Sequence, residues 1–157
     1  MAKPLFQTIT VEIAQLDQLF ATYGVLLAQV QQRPPDAVEL AALATVLHSF
    51  YNGAEGVFVA VARQLDQHVP DESRWHRFLL AQVARPTAMR PALISALLEA
   101  RLTDYLAFRH YFRHAYAFTL DWPRLEPLAR ELSSVHNALR DELTAFLQFL
   151  ATQTNSE

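Results

Sequence analysis

Long runs of apolar residues at helical spacing, interrupted at proline-containing segments, restrict this chain to an all-α fold. In the first run, apolar side chains recur every three or four positions, as they do along one face of a helix: Ile9, Ile13, Leu16, Phe20, Tyr23, Leu27 and Val30. Only 3 glycines occur in 157 residues, and the long runs lack the alternation of a half-buried strand. The pattern predicts an up-and-down bundle of about five helices.

The prolines set the boundaries of the first three predicted helices. The first helix stops at residues 33–35, because proline disfavours helix in the residue before it and lacks a backbone donor. Asp36 is then placed to cap a second helix over residues 37–67. Asp71 is the expected cap of a short third helix over residues 72–84.

The second half of the chain predicts two longer helices. Pro91 suits the first turn of a fourth helix that continues to about Phe118, a span of about 28 residues. The last helix starts near residues 121–123 and has a continuous apolar face: Leu125, Leu128, Leu132, Val135, Leu139, Leu143, Phe146 and Leu150. We therefore expect a single domain over residues 1–150 and a flexible tail over 151–157.

Composition excludes several functional classes. The absence of cysteine excludes disulfides, thiolate metal sites and cysteine nucleophiles. The net charge of −3 provides no overall positive field for nucleic acid, so a nucleic-acid site would have to be local. Because no signal peptide and no membrane-spanning stretch is visible, we expect a cytoplasmic protein without membrane contact. Apolar stripes this long also leave surface for a second copy, which favours a homodimer.

Arginine and histidine concentrate near the end of the fourth predicted helix. At 100° per residue, Arg109, Arg113, His110, His114 and Tyr116 share an arc of about 160°. Phenylalanines of the same helix fall on the opposite side. The pattern predicts one polar face that points away from the core.

Two kinds of chemistry suit such a face. His110 and His114, four residues apart, could hold zinc only with a third ligand from elsewhere, such as Glu55 or His48. Arginine with histidine suits a phosphodiester better. Histidine exchanges a proton near neutral pH, and arginine stabilises negative charge on phosphate. RNA supplies its own nucleophile, the 2′-hydroxyl, so neither metal nor cofactor is expected. An ordinary solvated helix face remains the alternative.

Three further residues outside this face are candidates for structural or positioning roles: Glu55, Trp75 and His76. Glu55 lies between two glycines of the second predicted helix, which indicates a close helix contact, for example with the fourth helix. Glu55 could pair with Arg109 or orient a histidine. Trp75 is interpreted as a packing residue, and His76 as a structural hydrogen-bonding partner.

The residues Arg109, His114 and Tyr116 match the R-x4-H-x-Y motif of the HEPN ribonucleases. The position after the arginine is usually Asn, Asp or His in that family, and His110 fits. The flanking segments HSFYNGAEGVF (48–58), WHRFLL (75–80) and RPALISALL (90–98) resemble the HepT-like subgroup of toxins. The resemblance extends over roughly residues 40–150.

The resemblance implies an all-α homodimer in which two motif copies form one composite cleft. It implies metal-independent cleavage of RNA, with tRNA as a reported substrate class, by a toxin of a type II-like HepT/MNT toxin–antitoxin system. Arg109 and His114 take the catalytic positions, His110 is auxiliary, and Tyr116 is the position that an MNT-type nucleotidyltransferase antitoxin modifies with AMP. One His114 would then act as base and its mate as acid. Arg113 lies outside the motif and is an auxiliary phosphate contact or simply exposed.

A second reading assigns the chain to a different class. The motif could serve as a binding surface in a non-catalytic helical module for nucleotides or a protein partner. Binding of RNA without cleavage would distinguish this module from the enzyme.

Overall fold

The computed structural model describes residues 2–156, which form a bundle of six α-helices without strands in that range. The helices are α1 (Ala2–Thr22), α2 (Gly24–Gln29), α3 (Ala37–Val61), α4 (Trp75–Val83), α5 (Ala96–His114) and α6 (Trp122–Thr154). A π-helical turn, Ala62–Asp66, extends α3, and a 3₁₀ turn, Ala117–Thr119, lies between α5 and α6. The all-α fold class is confirmed.

The core forms around α3, which packs against α1, α4, α5 and α6. Six apolar residues, spaced three or four positions apart along α3, are fully buried: Leu43, Leu47, Phe50, Ala54, Val57 and Val61. The start of α3 is a capping box, in which the Asp36 side chain accepts from the Glu39 backbone N–H and Glu39 accepts from that of Asp36. The sequence-based prediction of this cap is confirmed.

The consecutive long helices α5 and α6 run antiparallel. Tyr105 of α5 donates from its hydroxyl to the carbonyl of Leu128 in α6. Nearer the start of α5, Arg101 bonds to Glu131, farther along α6. Residue numbers in contact therefore decrease along α5 as they increase along α6. This is the antiparallel arrangement that the up-and-down prediction requires.

The prediction of one continuous first helix was wrong. A turn at Tyr23 separates α1 from α2, and Gly24 begins the shorter helix. Glycine is a poor interior helix residue, so a break costs little at this position. The bundle therefore has six helices rather than about five.

The predicted boundaries of the third and fourth helices were also wrong. Asp71 does not cap α4, which begins at Trp75 after a turn. Pro91 does not begin α5, because the chain packs into the core before that helix: Leu93 is buried and its N–H donates to the Val83 carbonyl at 2.9 Å. Ser95 is the actual N-cap of α5, and its hydroxyl accepts from the Leu98 N–H.

The last helix continues to Thr154, four residues into the segment expected to be a tail. Its predicted apolar face is largely buried. Within residues 2–156, none of the helices combines the length and apolarity that crossing a bilayer requires.

Candidate functional site

The motif residues lie where α5 ends and the chain turns toward α6. The helix ends at His114, not near Phe118, and Ala115 is extended. The earlier end leaves residues for the reversal that places α6 beside α5. Tyr116 therefore lies outside the helix, and its predicted place on the helical arc was wrong. Tyr116 is 73% exposed, and its ring stacks on that of Phe118, with 5.4 Å between the ring centroids.

Arg109 is fixed by a contact with α3. Its Nε donates to Oδ1 of Asn52 at 3.0 Å, across 57 residues of sequence. Among residues 2–156 this is the only hydrogen bond of its guanidinium, so both terminal nitrogens remain available to an anion. Arginine recognises phosphate through such nitrogens.

His48 completes this contact. Because Oδ1 of Asn52 accepts from Arg109, the amide nitrogen of Asn52 must donate to Nε2 of His48, 2.9 Å away. The proton of His48 therefore lies on Nδ1, which is buried and has no hydrogen-bond partner among residues 2–156. Burial and the charges of Arg109 and Arg113 lower the pKa of His48, consistent with a neutral ring.

The contact between Asn52 and His48 was not predicted, and His48 was considered only as a possible zinc ligand. The available signal was their spacing of four residues, which places both on one face of α3. That face had no identifiable neighbour without the packing of α3 against α5.

Three further polar residues near the end of the motif helix are exposed: His110, Arg113 and His114. The rings of His110 and His114 meet edge to face, 4.7 Å apart, and Arg113 lies on the surface beside them. Among the described residues, no group of three or more histidine, aspartate or glutamate side chains could hold a metal ion. The two proposed third ligands have other partners: His48 contacts Asn52, and Glu55 contacts a different histidine.

A groove of about 470 Å³ lies between the start of α4 and the side of α5. Its lining includes three arginines and two histidines but no carboxylate: Arg74, Arg77, Arg109, His76 and His110. Arg74 and Arg77 are exposed and were not singled out from the sequence. The groove concentrates positive charge locally on a chain whose net charge is −3.

Glu55 contacts a histidine, and among the described residues no hydrogen bond or ion pair joins it to Arg109. Its Oε2 accepts from Nδ1 of His76 at 2.8 Å, and the Glu55 side chain is only 9% exposed. Trp75 stacks on the ring of His76, with 3.7 Å between the centroids. Of the two partners expected for Glu55, an arginine or a histidine, the structure therefore has the histidine.

The two glycines beside Glu55 do not approach α5. Gly53 faces α1, where an added Cβ would lie 2.8 Å from Cδ2 of Leu16. Gly56 has no neighbour within 4 Å of such a Cβ. The predicted close helix contact therefore exists only at Gly53. It is made with the first helix and not, as the example in the sequence analysis had it, with the helix that contains Arg109.

A comparison with protein families identifies a relative of this chain by sequence. The sequence model described as "HepT-like protein" matches residues 42–150, about two thirds of the chain. No curated protein and no solved structure gave a match. The matched range contains α4, α5, the basic groove and every residue of the R-x4-H-x-Y motif. The chain therefore belongs to the HepT-like family of the HEPN superfamily.

Proposed function

We propose that this HepT-like protein is a metal-independent endoribonuclease toxin that cleaves RNA, with tRNA as its substrate class. The observation that carries the proposal is the position of Arg109. Asn52 holds Nε, and both terminal nitrogens remain available beside a groove without carboxylates. His114 is exposed five residues farther along α5, outside the lining of that groove. Histidine can transfer protons and arginine can stabilise charge on phosphate, so this combination suits phosphodiester cleavage.

The reaction uses only groups that RNA and the protein provide. The 2′-hydroxyl gives its proton to an imidazole, and its oxygen attacks the adjacent phosphorus. The bond from phosphorus to the 5′-oxygen breaks as that oxygen gains a proton from an imidazolium. The products are a 2′,3′-cyclic phosphate and a 5′-hydroxyl. His114 performs one proton transfer, and Arg109 stabilises the charge on the pentacoordinate phosphorus.

Arg74 and Arg77 extend the site beyond the reacting phosphate. Both line the groove that contains Arg109, on the opposite wall. Neighbouring phosphates of one RNA strand would contact them, which adds affinity without sequence selectivity. His110 and Arg113 are auxiliary phosphate contacts in this proposal.

The active form in this proposal is a homodimer, with the two α5 ends facing each other across a composite cleft. Exposure of His114 and Arg113 on one side of α5 supports this arrangement, because these side chains are free to meet a second copy. The composite cleft would then contain two copies of the motif residues, one from each chain.

Tyr116 is the proposed site of control by an MNT-type nucleotidyltransferase antitoxin. Its 73% exposure makes the side chain accessible to an enzyme. The phenolic oxygen would attack the α-phosphate of ATP and release pyrophosphate, which leaves AMP on the tyrosine. The added phosphate and adenosine would repel and obstruct RNA at the adjacent site.

The proposal is tested with purified, unmodified protein and total tRNA in excess EDTA. We expect cleavage that leaves 5′-hydroxyl ends. His114→Ala should reduce the rate by about 10²–10⁴-fold, and Arg109→Ala by about 10²–10³-fold. His68→Ala is the matched control, because His68 is an exposed histidine that does not line the groove.

Three results would contradict the proposal. Equal cleavage by the parent and His114→Ala would assign the activity to other residues or to a contaminant. Loss of cleavage in EDTA, restored by a divalent cation, would refute the metal-independent mechanism. Binding of tRNA without cleavage, with Tyr116 unmodified by mass spectrometry, would favour the non-catalytic binding module.

A further inference from the structure

His76 is a second histidine in the basic groove, contributed by α4 and outside the R-x4-H-x-Y motif. It lines the groove together with Arg109 and His110. Its side chain is 23% exposed, so it is neither a core residue nor a freely solvated one. The reaction above requires two proton transfers, and the motif of one chain provides one catalytic histidine.

Glu55 fixes the state and the orientation of His76. Because the carboxylate accepts from Nδ1–H, Nε2 is the ring nitrogen left for a ligand. The stacked indole of Trp75 restricts rotation of the ring. A buried carboxylate behind a histidine that faces a groove is an arrangement in which the carboxylate orients an acid–base residue.

We propose that His76, oriented by Glu55, is a second proton-transfer residue of the RNA-cleaving site; this inference rests on the proposed function. His114 exchanges a proton at one end of the reaction, and Nε2 of His76 exchanges one at the other. One takes the proton of the 2′-hydroxyl, and the other gives a proton to the departing 5′-oxygen. The second imidazole then comes from the same chain as Arg109 and not from the partner's His114.

The charged groups around His76 fit a role beside phosphate. Glu55 approaches it from α3, Arg74 and Arg77 flank it in sequence, and Arg109 and His110 face it from α5. Glu55 is the one carboxylate in contact with the ring among the described residues. The three arginine side chains carry more positive charge than the single carboxylate of Glu55 compensates. A phosphate bound in the groove would compensate the remaining positive charge.

The test compares single-turnover cleavage of tRNA at saturating protein over a range of pH. His76→Gln should lower the rate by about 10²–10⁴-fold and remove one limb of the bell-shaped pH–rate profile. Its affinity for tRNA, measured by filter binding, should stay within about threefold, because Arg74, Arg77 and Arg109 remain. His68→Gln, the matched control away from the groove, should behave as the parent does.

Two substitutions of Glu55 distinguish an effect on the orientation of the His76 ring from an effect on folding. Glu55→Gln keeps an acceptor for Nδ1–H and should stay within about tenfold of the parent rate. Glu55→Leu removes the acceptor and should lower the rate by about 100-fold, because the ring is no longer held in the productive orientation. If His76→Gln does not fold, this pair provides the same comparison in chains that keep His76.

Several outcomes would overturn the role of His76. Parental cleavage by His76→Gln with both limbs intact would refute it. Weaker tRNA binding with both limbs intact would show that His76 only binds phosphate. Equal rates for Glu55→Gln and Glu55→Leu would show that Glu55 does not orient the ring. Absence of cleavage by the parent would instead refute the proposed function, and this role with it.

Discussion

The strongest prediction about stability concerns a buried ion pair that joins the end of α3 to the segment before α5. Nε of Arg90 donates to Oδ1 of Asp66 at 2.7 Å, and a terminal nitrogen donates to Oδ2 at 2.8 Å. The Arg90 side chain is 0% exposed and that of Asp66 is 7% exposed. Arg90 also donates to the carbonyls of Arg85 and Pro91, each at 3.0 Å, and Gln82 donates to Asp66.

Removing one partner leaves the other charge buried without compensation, which costs about 3–5 kcal/mol. Arg90→Met should reach the upper part of this range, because the carbonyls of Arg85 and Pro91 lose their donor as well. Asp66→Asn should lie near the lower end, since its amide oxygen still accepts from Arg90. For a domain of this length the loss corresponds to a decrease of about 6–20 °C in Tm.

Urea unfolding followed by circular dichroism measures the free energy of unfolding directly. The matched control is Arg130→Met, which removes an exposed i,i+4 ion pair with Glu126 and should cost no more than about 0.5 kcal/mol. The double variant Arg90→Met/Asp66→Leu should be less destabilised than the sum of its single changes, because no charge remains buried alone. A loss below about 1 kcal/mol for Arg90→Met would refute this account of the pair.

Two further predictions concern the glycines of α3 and the buried histidines. Gly56→Ala should raise the free energy of unfolding by about 0.5–1 kcal/mol in urea, because an added Cβ meets nothing within 4 Å. Gly53→Ala should lower it by about 1 kcal/mol through the close approach to Leu16, and equal gains at both positions would contradict this reasoning. Burial lowers the pKa of His48 and His136, so the unfolded chain binds more protons below about pH 6.5. Tm should therefore fall from about pH 7.5 to about pH 5.5, and the variant His48→Gln/His136→Gln should flatten that slope; an unchanged slope would assign the effect to other groups.

Sequence pattern predicted the helix interiors better than their ends. The apolar face of α3 and its Asp36 cap follow from local spacing and local hydrogen bonds, which a sequence displays directly. The start of α5 depends instead on Leu93, which packs into the core and bonds to Val83 of α4. That contact overrides the preference of Pro91 for a first helical turn.

In the candidate site, too, some features could be predicted from the sequence and others could not. Arg109, His110, Arg113 and His114 are neighbours on one helix, so their proximity was visible in the sequence. The partners that orient side chains were not visible, because they come from other helices. Asn52 is 57 residues from Arg109 in the chain, and Glu55 is 21 residues from His76. Only the packing of α3 against α4 and α5 creates these contacts.

The short helix α4 links stability to the candidate site. At nine residues it is too short to be stable alone, so contacts with the rest of the protein must hold it in place. Glu55 contacts its first turn through His76, and Asp66 contacts its last turn through Gln82. Both carboxylates belong to α3 or its π-helical extension, so α3 fixes α4 at two points. Because α4 forms one wall of the basic groove, the position of Arg74 and Arg77 relative to Arg109 follows from these two contacts.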